Sequence, residues 1–530
     1  MACRSQRRGT LGPWPAIGCL VFGSAGALAL ITGSCVRAED RADVEPSTLT
    51  VLYPGDHRVL GAEGRAYYRP AQFLVFEPLL TWNADGELEP RLARSWEHSA
   101  DYRTWTVNLR TDVRWHDGVP VTADDVQFTM DLLSHPDVLV EQPGAFRLNV
   151  LDDSTFTITR QQIGTYSIAN EAAVFNAIYP RHLLQDLDPK GFWDWEFWTH
   201  PVGNGPYRYV RLVPGTIIEL EANPDHFRGR PRIDRVVLKF GGSSLTELLA
   251  GNVDAAAYVD RMDLLTLADD PRFRVYENVL FNSVVAIVWN HRDSLFEQRS
   301  VRQALTRAID REGLHRVLNL PANLPILDVV FTARQFRRGE VPPALAYDPE
   351  RAIDLLEGAG WLDSDADGLR ERNGEPFHFT VLASGGESER AAVFVQEHLR
   401  NVGIEMEILT LQNIWERVQT ADFQAAILPV FPGGGLSHTV YFGEESVLGY
   451  AHPTVARLLG EADATLSPVE IDRIYSELMP IFLEDQPMTG LYPDVRTTVA
   501  HRRVRGLSSP YRAEPVWHVD ELWIEEDDRP

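Results

Sequence analysis

Lysine is almost missing from this 530-residue chain: Lys190 and Lys239 stand against 48 arginines. Cysteine is scarce too, at Cys3, Cys19 and Cys35. Three thiols cannot build a disulfide scaffold for a chain of this size. No HExxH, P-loop or CxxC pair occurs, and beyond residue 34 there is no GxSxG. The usual sequence marks of a zinc hydrolase, a phosphate-binding loop and a serine hydrolase are therefore lacking. The 15 histidines are scattered. There is no low-complexity tract and no short-period repeat. Basic charge is outweighed, 50 Lys and Arg against 76 Asp and Glu, for a net charge of −26. So acidic a chain repels nucleic acid and anionic membrane surfaces, and neither is expected as a partner.

What is present begins with an export signal over residues 1–34. Arg4, Arg7 and Arg8 make a basic start, and Ala16 to Ile31 is an apolar run short for a membrane span. Gln6-Arg7-Arg8-Gly9 has the start of a twin-arginine signal, but Thr10 spoils the hydrophobic pair that should follow. Removing this segment takes away three arginines and no acid, so the remaining charge is −26 − 3 = −29, on 530 − 34 = 496 residues. That length is too great for one core and implies two or three domains. Cys35 is then the first residue and the lone cysteine of the mature chain. With Gly33-Ser34 before it, the site resembles that of a bacterial lipoprotein, in which this Cys is diacylated. Thr32 departs from the usual Leu. The alternative is cleavage after Val36-Arg37-Ala38, which would give a soluble periplasmic protein.

The elements alternate in an α/β order. LTVLY (49–53), FTIT (156–159), TIIEL (216–220) and RVVLKF (235–240) read as strands. Trp105, Val107 and Leu109 alternate with polar residues, and Asp117-Gly118 is a turn signal after His116. Thr122 caps a helix over ADDVQFTMDLL. Ser300 with Gln303 has the spacing of a capping box for the next clear helix, with Gly313 as its end. Asp348-Pro349 opens another. FTVLAS (379–384), a helix over 389–403 and IEMEILTL (404–411) form a βαβ unit, for which parallel pairing is expected.

Phe76 to Leu133, FEPLLTWNADGELEPRLARSWEHSADYRTWTVNLRTDVRWHDGVPVTADDVQFTMDLL, carries the most specific pattern. It resembles the signature of the family 5 extracellular solute-binding proteins, the capture subunits of peptide-type ABC importers. PVGNGPYRYV (201–210), LLAGNVDAA (248–256) and GYAHPTVARLL (449–459) extend the resemblance from about Leu49 to about Trp523. The resemblance implies a two-lobed periplasmic binding protein of type II, α/β, with an extra domain inserted in the first lobe. Lobe one would comprise 39–75, 200–284 and 495–530, the insert 76–199, and lobe two 285–494. It further implies a monomeric receptor without a cofactor, in the periplasm or tethered by lipid to the outer face of the membrane. The receptor would close on a peptide-like solute and deliver it to permease subunits served by a cytoplasmic ATPase. Alternatives are a non-peptide solute (an oligosaccharide, an opine-like compound or a metal chelate) and, in a different class, an exported hydrolase.

Site residues follow from the same likeness. Peptide-binding members carry a Trp and an Asp near 422–445, and the acid anchors the ligand's amino terminus. Here the stretch reads DFQAAILPVFPGGGLSHTVYFGEE, with no acid between Asp422 and Glu444. Binding that does not depend on a free α-amino group is expected. Phe431, His438, Tyr441, Phe442 and Glu444 are candidates to line the pocket, since specificity tends to sit on loops held by a scaffold. Trp415 stands just before them. Tyr53 and Asp56 mark the first ligand-contacting loop, and Trp289-Asn290 either touches ligand or supports the hinge. Finally, Asp363, Asp365 and Asp367 have the alternating spacing of a calcium loop, but the bidentate Glu expected at its twelfth position is replaced by Gly374, with Glu375 one residue late. An Asp-rich surface turn is the plainer reading.

Overall fold

The computed structural model describes residues 46–54, 58–61, 65–82, 88–101, 103–138, 146–160, 177–322, 324–430, 441–443, 446–465, 467–508, 516 and 518–525. Cys35, Asp56, Phe431, His438 and Glu444 lie outside them. Among the described residues no helix is long and apolar enough to cross a membrane.

One mixed sheet organises the chain. Its strands are β1 (Thr48–Tyr53), β2 (Tyr207–Val213), β3 (Ile217–Ala222), β4 (Arg235–Phe240), β5 (Ala255–Ala256), β6 (Phe273–Trp289), β7 (His378–Ala383), β8 (Glu405–Thr410), β9 (Ala425–Val430) and β10 (Met488–His501), in the spatial order β2-β3-β4-β1-β5-β10-β6-β9-β7-β8. Strands buried on both faces read as apolar runs rather than alternations. In β9, Ala425 and Ile427 enter a core with Trp289 and Phe379, while Ala426, Leu428 and Val430 enter another with Val284 and Phe442. The expected βαβ unit is present. β7 and β8 are parallel, with Phe379 opposite Met406, and the helix Gly386–Arg400 between them buries Ala391, Ala392, Val395 and Leu399. Asp348 caps the helix Pro349–Gly358 by accepting the Arg351 N–H at 2.9 Å.

The helix after Ser300 differs from expectation. It runs Arg299–Arg307 from an N-cap at Gln298 and stops at Ala308. Asp310 breaks it and caps a second helix, Arg311–Val317, by accepting the Gly313 N–H at 2.8 Å. Gly313 therefore opens a helix instead of ending one. A Cβ there would meet the Asp310 carboxylate at 2.3 Å.

β6 and β10 are the long elements. They pair antiparallel from Phe273 opposite His501 to Val288 opposite Met488, with the register broken between Leu280 and Val284. On one side of the break β10 also pairs with β5, and on the other β6 pairs with β9. These two strands thus carry the chain between two half-sheets, and the irregularity falls between them. A bulge of this kind bends a strand and re-aims its side chains.

Residues 76–199 include a separate four-stranded antiparallel sheet with the helix Ala123–Leu133. Its seam with the first half-sheet is built from the signature residues. Glu77, buried, binds Arg91 Nε at 2.8 Å and His226 Nε2 at 3.0 Å. Asn204 Oδ1 accepts the Glu77 N–H at 2.8 Å. Gly203 and Gly205 lie so close to the end of the helix Arg69–Val75 that an added Cβ would fall 1.8 Å and 2.6 Å from the Val75 and Leu74 carbonyl oxygens. His116 closes the seam, donating from Nε2 to the Gly205 carbonyl at 3.0 Å while Nδ1 accepts the Gly203 N–H at 3.2 Å. Burial drives its pKa down to about 4, which fits a neutral imidazole used as a rivet.

Candidate functional site

Strand polarity locates the site. β1, β4 and β5 are mutually parallel, as are β7, β8 and β9. The register runs Leu52 to Ala256 to Val499 to Val275 in the first half, and Val430 to Val284 in the second. The carboxyl ends of β1 and β5 therefore point at the break in β6 and β10 from one side, and the carboxyl end of β9 from the other. Ligands of open α/β sheets bind outside the carboxyl ends of strands, where the topology switches.

Side chains of differing chemistry collect there. Tyr53, at the end of β1, packs its ring 6.0 Å from Tyr258 and 6.1 Å from Phe240. Tyr258 holds φ at 53°, uncommon for a bulky residue. The Arg496 guanidinium lies 5.4 Å from the centre of its ring. Asp494 accepts a hydrogen bond from the Ser283 hydroxyl at 3.3 Å. Burial pushes the Asp494 carboxyl above its ordinary range, against the pull of Arg496, Ser283 and Arg261. Tyr492, two residues earlier, is buried and its hydroxyl is driven up by burial and by Glu387.

The residues expected from sequence divide into three groups. Tyr53 is at the convergence, with its ring buried. Trp415 and Tyr441 meet edge to face at 6.0 Å on either side of the stretch 431–440. Trp415 is 37% exposed, so a solute can reach it, whereas the Tyr441 ring is buried behind it and burial raises its hydroxyl pKa. Trp289, Asn290 and Phe442 are framework. Trp289 is fully buried between Phe296 and Phe379, with its indole N–H on Thr489 Oγ1 at 3.2 Å. Asn290 donates to the carbonyls of Phe423 (2.7 Å) and Ala421 (3.3 Å). Phe442 packs on Phe482 at 4.7 Å. For Trp289 and Asn290, burial and these bonds fit the alternative of supporting the hinge.

Asp494, Arg496 and Tyr258 were not anticipated. The available signal was a charged pair, Asp494 and Arg496, interrupting the otherwise apolar start of a long strand.

The acidic turn is also defined. Carboxylate oxygens of Asp363, Asp365, Asp367 and Glu371 lie within 4.8 Å of one another. Glu371, rather than Glu375, completes the group. Asp365 and Asp367 accept the N–H groups of Asp367 and Leu369 at 3.2 and 2.8 Å, and Glu371 accepts that of Ser364 at 3.1 Å. These bonds give Asp365 and Asp367 a turn-building role.

Comparison with known proteins gives consistent results. Residues 87–442 match the family described as bacterial extracellular solute-binding proteins, family 5 Middle. The chain is similar to the oligopeptide-binding protein AppA of Bacillus subtilis, at 27% identity over 508 residues, covering 91% of this chain and 90% of that one. The structure of AppA with a nonapeptide superimposes with a TM-score of 0.72, at 22% identity, over 91% of this chain and all of that one. NikZ from Campylobacter jejuni, solved with Ni(L-His), superimposes with a TM-score of 0.75, at 22% identity, over 90% of this chain and all of that one.

Proposed function

This chain belongs to the family 5 bacterial extracellular solute-binding proteins, a family of receptors with two α/β lobes, and we propose that it captures a peptide or peptide-like solute between its lobes for an ABC importer. The observation that carries this reading is the convergence of both sets of strand ends on the break between β6 and β10. The lobes close around the solute by bending at that break. Closure is a shift between pre-existing open and closed arrangements, paid for by contacts that only the closed form makes. The supporting likeness is to an oligopeptide-binding relative. In this reading lobe one spans 39–75, 200–284 and 495–530, lobe two 285–494, and the insert 76–199. Permease subunits with their ATPase receive the solute from a monomeric receptor. Phe431 and His438 join Trp415 in lining the cleft.

A metal chelate is the second reading, favoured by the likeness to a protein solved with Ni(L-His) and by His438 in the stretch that departs from the peptide-binding pattern.

The absence of acid from 423–443 sets the first test. Matched peptides with free and acetylated amino termini are expected to bind within tenfold of each other in calorimetry. A preference for the free peptide beyond tenfold, about 1.4 kcal/mol, contradicts this and points to Asp494 as the anchoring acid. Binding of Ni-histidine complexes with no peptide binding selects the second reading.

Tethering through a diacylated Cys35 completes the proposal. Cys35→Ala is expected to move the protein from the membrane fraction to the soluble one. A wild-type protein that is already soluble with Glu39 at its amino terminus contradicts lipidation.

A further inference from the structure

Two helices face each other across the convergence. Arg261–Leu267 follows β5 and packs with the first half-sheet, burying Leu264 and Leu267 with Leu52, Phe273 and Val499. Gly386–Arg400 follows β7 and packs with the second. Each begins just beyond the carboxyl end of a parallel strand, so their amino-terminal ends meet over the break in β6 and β10.

Ionic contacts span that meeting. Arg390 Nη2 reaches both carboxylate oxygens of Asp260 at 3.1 Å. Arg261 Nε lies 3.4 Å from Glu387 Oε2. Arg261 also donates from Nη1 to the Asn319 carbonyl at 3.1 Å, in the second half, and to Glu277 Oε1 at 3.2 Å, in the first. Its side chain is 2% exposed, yet Nε and Nη2 make no hydrogen bond. A buried guanidinium with open donors is costly unless charge surrounds it. Glu387 supplies that charge from the opposite half, and burial raises its carboxyl pKa while Arg261 pulls it back. Some of these groups also serve their own half: Asp260 caps its helix by accepting the Met262 N–H at 2.8 Å, and Arg261 reaches Glu277. Moving the halves apart separates Asp260 from Arg390 and Arg261 from Glu387 and Asn319.

We propose that Asp260–Arg390 and Arg261–Glu387 form an ionic latch between the two lobes, made on closure and broken on opening. The proposal rests on the two-lobed receptor reading. It adds that solute affinity is set in part by ion pairs the solute need not touch, because apparent affinity scales with the population of the binding-competent form. The arms divide the work. Arg390 and Asp260 are partly exposed, and such pairs weaken with salt. Arg261 is sheltered and salt reaches it less.

The test uses the full chain stripped of bound solute. Arg261→Ala risks misfolding because the residue is buried, so the variant of choice is Arg390→Glu, which sets a carboxylate against Asp260. Small-angle scattering at low salt is expected to give this variant a larger radius of gyration than wild type. The gap should narrow as salt rises and wild type opens. The double variant Asp260→Arg with Arg390→Asp should restore the wild-type radius. Identical radii for wild type and Arg390→Glu at every salt concentration, with unchanged thermal midpoints, would overturn the latch. Because this readout needs no solute, it stays separate from the receptor reading. A wild-type radius that grows with salt, in a chain that binds no peptide and no chelate, would keep the latch and discard the proposed cargo.

Discussion

Glu77→Ala is expected to lower stability by about 3–5 kcal/mol, the cost of breaking a buried ion pair from one side. The substitution strands Arg91 and His226, both buried, at the seam between the inserted domain and lobe one. Among the described residues Arg91 then keeps a distant contact with Asp520 at 3.7 Å. The first calorimetric transition should fall by roughly 6–20 °C, at about 2–4 °C per kcal/mol for a lobe of this size. Acid provides a second signature. Burial alone would raise the Glu77 pKa, but Arg91 and His226 outweigh it and hold the carboxyl below its ordinary 4.5. A depressed carboxyl stabilises the fold above its unfolded pKa, and that contribution is lost as pH falls through the folded value. Wild type should therefore lose stability steeply below about pH 4.5, and the variant less so. Equal midpoints for the two chains at neutral pH contradict this account of the seam.

Trp415→Ala is expected to weaken solute binding by about 2 kcal/mol or more, roughly thirtyfold, as for an aromatic anchor at the centre of an interface. Trp415 is exposed on a five-residue helix, Trp415–Gln419, with its edge on Tyr441. Its removal opens no core cavity, so the thermal midpoint should hold. Calorimetry with the solute recovered from the purified protein checks both. Affinity within twofold of wild type would remove Trp415 from the site.

Much of the scaffold was legible because local and global signals agree there. The βαβ unit at 378–410 could be read from its two apolar runs and the glycine between helix and strand, and Asp348-Pro349 from cap chemistry alone. The helix after Ser300 was misjudged because its apolar face continues through Ala308 and Ile309, while Asp310 breaks the backbone beneath that face. The site was harder. A tryptophan at the end of a strand does not declare which face it serves, and Trp289 serves the core. Asp494 and Tyr258 become neighbours of the cleft only through the register of β10 against β5 and β6, a pairing of residues more than 200 positions apart. No local pattern encodes it. Trp415 and Tyr441 were legible as aromatics flanking an acid-free stretch, although which of the two faces solvent depends on the fold.

The most direct measurement of the central claim is small-angle scattering of the full chain with and without the solute that co-purifies with it, coupled to mass spectrometry of that solute before and after incubation. A smaller radius of gyration with solute bound, and a solute recovered unaltered, is the predicted result. An unchanged radius at saturation, or conversion of the solute to a product, contradicts a receptor that works by closing its lobes.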